Sequence, residues 1–461
     1  MNSGRRKIFI CLALTLAGYL LFGYFLRREN FYQVASVYLI LFASYLFLIR
    51  RNSEINFSWL IVAAILFRLS FLFSIPSLSD DYFRFIWDGK MINMGVNPYS
   101  EIPSFFILYS DNPDEYLMHL LAGMNSQDYY SVYPPVMQFT FAIAAWLFPQ
   151  NLLGAVIVLR IVCIDAEIGT MILLKKLLEH FKLPKANLLW YALNPLVIIE
   201  LSGNIHFEAV TFFFLLLVIY LFLAKNTSHE PVEGFVKASR VRLILSAIAY
   251  SFSIATKLIP LLFLPFLIRR LGWRRSLIYF LSAGITLVLL FAPFISRELI
   301  ENIGASIDLY FQKFEFNASI YYIIRWIGFQ VKGYNIIQSV GPWLALSVFL
   351  SVMILMLREK KITDRNLFSM MQWSLTIYLL LSTTVHPWYL TTLVMLSVFT
   401  EMRFAIVWSL MVILSYATYQ TQPYDENLLL TSVEYFLISG TIILELRNRK
   451  PTKVLAEQVD H

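Results

Sequence analysis

Apolar runs long enough to cross roughly 30 Å of hydrocarbon recur from residue 8 to residue 446. That recurrence limits the fold more than any motif does. In lipid every backbone amide and carbonyl must find its partner inside the protein, which leaves helices or a closed barrel. The runs are rich in Leu, Phe and Ile and too long for barrel strands. The chain is therefore expected to be an all-α, polytopic membrane helix bundle of about 12–14 transmembrane helices. Only 15% of its residues are charged, against about 25% in soluble domains.

The cations report how the bundle is threaded. The net charge of +7 could suit nucleic acid, but the Lys and Arg residues flank the apolar runs, as topology determinants do. Arg5, Arg6 and Lys7 put the N-terminus on the cytoplasmic side. Arg50 and Arg51, Lys175 and Lys176, Arg269 and Arg270, Arg358, Arg403 and Arg447 then fall on that side too, which makes the C-terminus cytoplasmic. The run Ile8–Leu26 is longer than a signal-peptide core and lacks a clear small-x-small cleavage site, so it is expected to stay as an anchor. Cys11 and Cys163 lie inside apolar runs and form neither a disulfide framework nor a metal-ligand spacing.

This threading makes residues 1–461 one membrane domain with two large outer loops. Loop 76–131 is the candidate catalytic loop with interfacial helices, and 296–334 is the second. In the first, Asp81, Arg84 and Asp88 are spaced to share one helical face. Phe83, Ile86, Trp87 and Ile92 can lie on lipid or on the bundle. Two stretches strain the parity. Segment 134–148 opens on Pro134-Pro135 and is short, so it is expected to be re-entrant or tilted. Segment 242–268 has basic clusters at both ends and is expected to fold as two short helices turning near Lys257 and Pro260, since proline removes a helix donor. N-glycosylation sequons begin at Asn226 and Asn317.

Once the loops are sorted, polar residues far apart in sequence share the outer face. Ser79-Asp80-Asp81-Tyr82-Phe83-Arg84 is the densest group. One Asp would serve as a general base and the other would orient substrate or hold a metal. The plainer reading is a helix cap, because carboxylates favour helix N-termini. His206 and Glu208 follow the outer turn Gly203-Asn204-Ile205 and could equally be a polar hairpin. Lys257, flanked by Ile254, Ala255, Leu258 and Ile259, must snorkel or find an anion. His386, Trp388 and Tyr389 mark another helix break, where Trp and Tyr are ordinary interface anchors. Taken singly, each plainer reading stands. Taken together, they give no reason for all the polar breaks to share one face, whereas an active site does. A transporter or flippase is the rival reading, but it would need polar groups reachable from both sides. Only Arg68, Arg160, Asp165 and Glu167 lie deeper.

These segments, in order, resemble a known family. They are Ser79 to Lys90 with Asn97-Pro98-Tyr99, Tyr133-Pro134-Pro135, Asn194-Pro195-Leu196, Gly203 to Glu208, Thr256-Lys257 and His386-Pro387-Trp388-Tyr389. The chain is similar to the multi-spanning GT-C glycosyltransferases that use polyprenyl-phosphate sugars, in particular the bacterial polyprenol-phosphate-mannose-dependent mannosyltransferases. His206-Phe207-Glu208 stands where His-Asn-Asp is common. The resemblance implies an inverting transfer of a sugar, expected to be mannose, from a lipid-linked donor to a lipid, glycan or glycolipid acceptor, on the outer face of a bacterial inner membrane. It gives Asp80 or Asp81 the role of base. Lys257, with Arg84 and His386, would hold the donor phosphate. Tyr82, Trp87, Asn97, Tyr99, Tyr133, Asn204, His206, Glu208, Trp388 and Tyr389 would contact substrates. No cofactor is required; the Asp pair leaves room for a divalent metal that the chemistry does not demand, and no nucleic-acid partner is expected.

Overall fold

A computed structural model describes residues 3–108, 114–223, 238–312, 314–360 and 362–448. Asn226 lies outside them. The described residues are helical apart from turns and an isolated parallel bridge between Phe316 and Thr384.

Helices α1 (Ser3–Phe25) and α2 (Phe31–Arg50) form an N-terminal pair. With Trp273–Phe294, Ile337–Arg358 and Leu428–Asn448 they are the five described helices individually long and apolar enough to cross a membrane. A sixth crossing arises if Pro195–Gly203 and Glu208–Leu223, which meet at 110°, count as one broken span. Several other apolar runs of the sequence form shorter helices. Helix α3 (Phe57–Leu69) and the segment 187–202 are examples, the latter broken because Asn194 turns its side chain onto the amides of Leu196 and Val197. After that cap the chain winds as a π-helix, Ile198–Gly203.

Segment 76–131 holds α4 (Asp81–Asn93), α5 (Pro103–Leu108) and α6 (Glu115–Gly123). The apolar side of α4 packs on the bundle, not on lipid: Ile86 and Trp87 are buried. Its partner is α7 (Pro135–Leu147). With 13 residues, α7 reaches roughly 20 Å, too short to cross alone. Gly89 permits the α4–α7 approach. A Cβ there would sit 2.1 Å from the Phe141 carbonyl oxygen. Segment 242–268 also breaks in the middle. Helix Arg240–Ile254 ends before Lys257, and a 3₁₀ turn at Ile259–Phe263 leads into Leu264–Leu271.

Three of the deeper charges, Arg68, Arg160 and Glu167, are structural, while Asp165 is exposed. Arg68 of α3 pairs with Glu167 of α8 (Leu152–His180) at 2.7 Å, both fully buried. Arg160, also on α8, donates to the carbonyls of Leu72, Ser74, Ser202 and Gly203. It thereby ties the chain after α3 to the end of the π-helix. Both segments lead directly into the polar loops.

Gly89→Ala tests the α4–α7 contact. Helix propensity alone would favour Ala by about 1 kcal/mol, whereas overpacking costs about 1–3 kcal/mol. The expected outcome is a lower thermal unfolding midpoint in detergent; an unchanged or raised midpoint would contradict the packing.

Candidate active site

A cavity of about 440 Å³ opens at the N-terminus of α4, within the range of pockets that hold small molecules. Of the residues singled out in the sequence, Asp80, Asp81, Arg84, Tyr133, His386 and Trp388 line it. They come from three separate stretches of chain.

The two aspartates have different surroundings. Asp80 occupies the N-cap position of α4 but makes no cap hydrogen bond with its side chain. Its carboxylate instead pairs with Arg28, from the α1–α2 loop, at 2.7 Å. The Arg28 guanidinium lies 4.9 Å from the centre of the Tyr419 ring and donates to the Tyr424 hydroxyl. The Asp81 backbone amide donates to Ser79 Oγ at 3.3 Å, and Asp81 lines the cavity. Burial pushes the Asp81 carboxyl up, against the opposing influence of His206 and then Lys257; Asp80 and Glu208 act in the same direction as burial. The capping interpretation therefore fails for Asp80, whose charge goes to Arg28.

Arg84 is spoken for inside the protein. It pairs with Asp88 at 2.7 Å and donates to the carbonyls of Ser126 and Tyr129. Asp88 also accepts from Ser131 and Gln138. This network fixes segment 126–133 as one wall of the cavity. The Arg84 Nη2 nitrogen is buried without a hydrogen-bond partner.

Behind the cavity lie the other motif residues. Tyr82 stacks on Phe83, and Trp87 meets Phe106 edge-on. Asn97 donates to the Phe294 carbonyl and accepts from the Tyr99 amide, and the Tyr99 hydroxyl donates to the Tyr133 carbonyl. These four hold the loop in shape and are not among the residues that line the cavity. Asn204 accepts from the Leu78 amide. Lys257 lies 3.1 Å from Glu208, a buried carboxylate at the start of helix Glu208–Leu223.

A ring stack crosses the site. His206 stacks on Trp388 with centroids 3.8 Å apart, Trp388 on His386 at 4.3 Å, and His386 on Phe316 at 4.9 Å. Tyr389 meets His386 edge-on. Burial, then the nearby His206 and Lys257, push His386 down to about 3. It therefore lines the site as a neutral ring that can offer an N–H.

Sequence reasoning missed the opposite wall: Arg28, Glu315, Phe316, Tyr419, Tyr424 and Glu426. Phe316 is placed by backbone hydrogen bonds to Thr383 and Val385. Asn317, the start of a sequon, is buried and donates to Glu434, so this residue is unavailable for glycosylation. Arg27-Arg28 and the Tyr-Asp-Glu run at 424–426 were the available signals, but charges in short loops carry little information by themselves. Among the described residues no three His, Cys, Asp or Glu side chains gather as a metal ion requires.

A family model described as alpha-(1->6)-mannopyranosyltransferase, N-terminal domain, matches residues 22–272, more than half of the chain. The chain belongs to this family. The mannopyranosyltransferase match takes in Arg28, both aspartates, His206, Glu208 and Lys257, while His386 and Trp388 lie beyond it. The chain is also 22% identical over 345 residues to alpha-(1->6)-mannopyranosyltransferase A of Mycobacterium tuberculosis. That alignment covers 69% of this chain and 60% of the relative, so the chain spans less than two thirds of its length. No solved structure matches.

Because His386 is held near 3, it stays neutral at every pH above about 4. Histidine-selective NMR, with His386→Gln for assignment, is expected to show no titration of this ring between pH 5 and 8. A midpoint inside that window would refute the buried, neutral environment.

Proposed function

We propose that the protein transfers a mannosyl residue from a polyprenyl-phosphate donor to an acceptor hydroxyl at the non-cytoplasmic face, with Asp81 as general base. The observation that carries this reading is the division between the two aspartates. Asp80 is committed to Arg28 at 2.7 Å, while Asp81 presents its carboxylate to the cavity. Family membership supports the sugar and the reaction class.

The donor enters sideways from the outer leaflet. Its isoprenoid tail partitions at about 0.8 kcal/mol per buried CH₂, so the cavity need hold only the sugar and the phosphate. Asp81 takes the proton of the acceptor hydroxyl. The hydroxyl oxygen forms its bond to the anomeric carbon as the bond from that carbon to the phosphate oxygen breaks. The electron pair leaves with polyprenyl phosphate, and the configuration inverts. Negative charge grows on the departing phosphate, where fixed cations and dipoles in a dry site are worth most. Arg28 at the cavity wall, the unpartnered Arg84 Nη2 and Lys257 beside Glu208 are the cations within the site's frame.

Since burial raises the Asp81 carboxyl, it ionises at a higher pH than an ordinary aspartate. The base form is lost as pH falls through that raised value, so the rate is expected to climb with pH above the usual carboxylate range near 4.

The test is the purified protein in liposomes with a radiolabelled polyprenyl-phosphate mannose and a glycan acceptor. Wild type is expected to transfer label. Asp81→Asn is expected to lose about 10²–10⁴-fold in kcat with its unfolding midpoint intact, and Asp80→Asn to lose less. Equal losses in the two variants, or full activity in Asp81→Asn, would sink the assignment of the base. Label that crosses the bilayer without bond cleavage would favour a flippase.

A further inference from the structure

A groove of about 410 Å³ lies away from the candidate active site, where helix Leu264–Leu271 meets the start of helix Trp273–Phe294. Ile268, Trp273, Ser276, Leu277, Phe280 and Leu281 line it. The residues from Trp273 onward fall at i, i+3, i+4, i+7 and i+8, so they form one helical face. Gly272 makes the turn between the two helices. Its φ is +68° and its ψ 167°, a region open essentially to glycine alone.

The other end of the second helix reaches toward the active site. The Phe294 carbonyl accepts from Asn97, and the nearby Tyr99 hydroxyl donates to the carbonyl of Tyr133 at the cavity wall. The 22 residues of this helix measure about 33 Å, roughly one hydrocarbon thickness. The groove and the active-site cavity therefore belong to opposite ends of one membrane-length helix.

The rim of the groove is cationic. Arg269, Arg270, Arg274 and Arg275 bracket Gly272. Three of them are engaged. Arg270 pairs with Glu359 at 2.6 Å, Arg269 donates to the carbonyls of Met356 and Glu359, and Arg275 donates to the carbonyl of Ala238. Arg274 is exposed and has no partner among the described residues. Its charge is permanent. The helix also begins here without a side-chain cap, and the Ser276 amide is the first to bond back, to the Gly272 carbonyl. The amides of Trp273, Arg274 and Arg275 are left at a positive helix end. Ser276 is 5% exposed and lines the groove, yet its Oγ has no hydrogen-bond partner. A buried hydroxyl left unpaired is costly.

We propose that this groove binds an anionic phospholipid. The phosphate sits between the Arg274 guanidinium, the start of the helix and the Ser276 hydroxyl, and one acyl chain runs along Leu277, Phe280 and Leu281. A free phosphate would meet the donors but gain nothing from the apolar floor. A zwitterionic lipid would bring its own cation to a rim that already carries positive charge.

The test reads the groove through Trp273, which is exposed. Full-length protein in phosphatidylcholine nanodiscs is doped with phosphatidylglycerol or phosphatidylcholine whose acyl chains carry bromine, a contact quencher of tryptophan. The Trp273 signal is the difference between wild type and Trp273→Phe. Phosphatidylglycerol is expected to quench it at about fivefold lower mole fraction than phosphatidylcholine, the gain expected from one arginine at a membrane surface. Arg274→Gln is expected to remove most of that preference and Ser276→Ala to weaken it. Arg447→Gln, an exposed arginine at another helix end, is expected to leave it unchanged. Arg274 is exposed, so its variant is expected to keep the wild-type unfolding midpoint. Equal quenching by the two lipids in wild type, or an undiminished preference in Arg274→Gln, overturns the proposal. An equal loss in Arg447→Gln overturns it too, because the preference would then come from diffuse surface charge. Relief of the quenching by inorganic phosphate at constant ionic strength would make the occupant a free anion and overturn the lipid assignment.

Discussion

Four backbone carbonyls converge on the guanidinium of Arg160. Two belong to the turn after α3 and two to the end of the π-helix. Such chain ends leave carbonyls without helical partners, and in an apolar bundle an unmet carbonyl is costly. Arginine offers five donors in a rigid planar fork, so one side chain can satisfy both ends together. The turn after α3 leads to Ser79-Asp80-Asp81, and the π-helix leads to Asn204 and His206. A single buried cation thus sets the spacing between the acidic and the imidazole sides of the cavity. The adjacent Arg68–Glu167 pair secures the same helices from below, with Ser202 donating to the Glu167 carboxylate.

On that frame the site sorts its charges by pairing. Asp80 is met by Arg28, Asp88 by Arg84, Glu208 by Lys257 and Glu200 by Tyr416 and Asn204. Asp81 is left facing the cavity. Burial favours its protonated form, and a protonated carboxyl cannot accept a proton. The imidazole and ammonium groups nearby oppose burial without closing the cavity. The ring stack from His206 to Phe316 packs both imidazoles at once.

Much of this was legible in the chain. The helical membrane class follows from backbone hydrogen bonding in lipid. The break near Pro260 and the short segment after Pro134-Pro135 follow from proline chemistry. The residues of the cavity's near wall come from polar runs that apolar surroundings make conspicuous. The count of full-length crossings was less legible, because apolarity does not report where Asn194 caps a new turn or where a π-helix begins. Nor could it separate motif residues that face a cavity from those that shape a loop. Trp87, Asn97 and Tyr99 stand in the same runs as Asp81 and look equally functional, yet their side chains close contacts behind it.

Sequence by itself determined the solvent this protein lives in, the hinge points of its helices and the stretches that carry chemistry. Each is a local matter, set by side-chain polarity, proline geometry and the cost of an unpaired amide. Tertiary structure alone decided which of two identical neighbouring carboxylates stays unpaired, that His386 is neutral, and that Glu200 stands behind His206. Those outcomes depend on partners brought from distant helices. Asp80 differs from Asp81 because Arg28 reaches one and not the other, and no pattern within either segment encodes that approach.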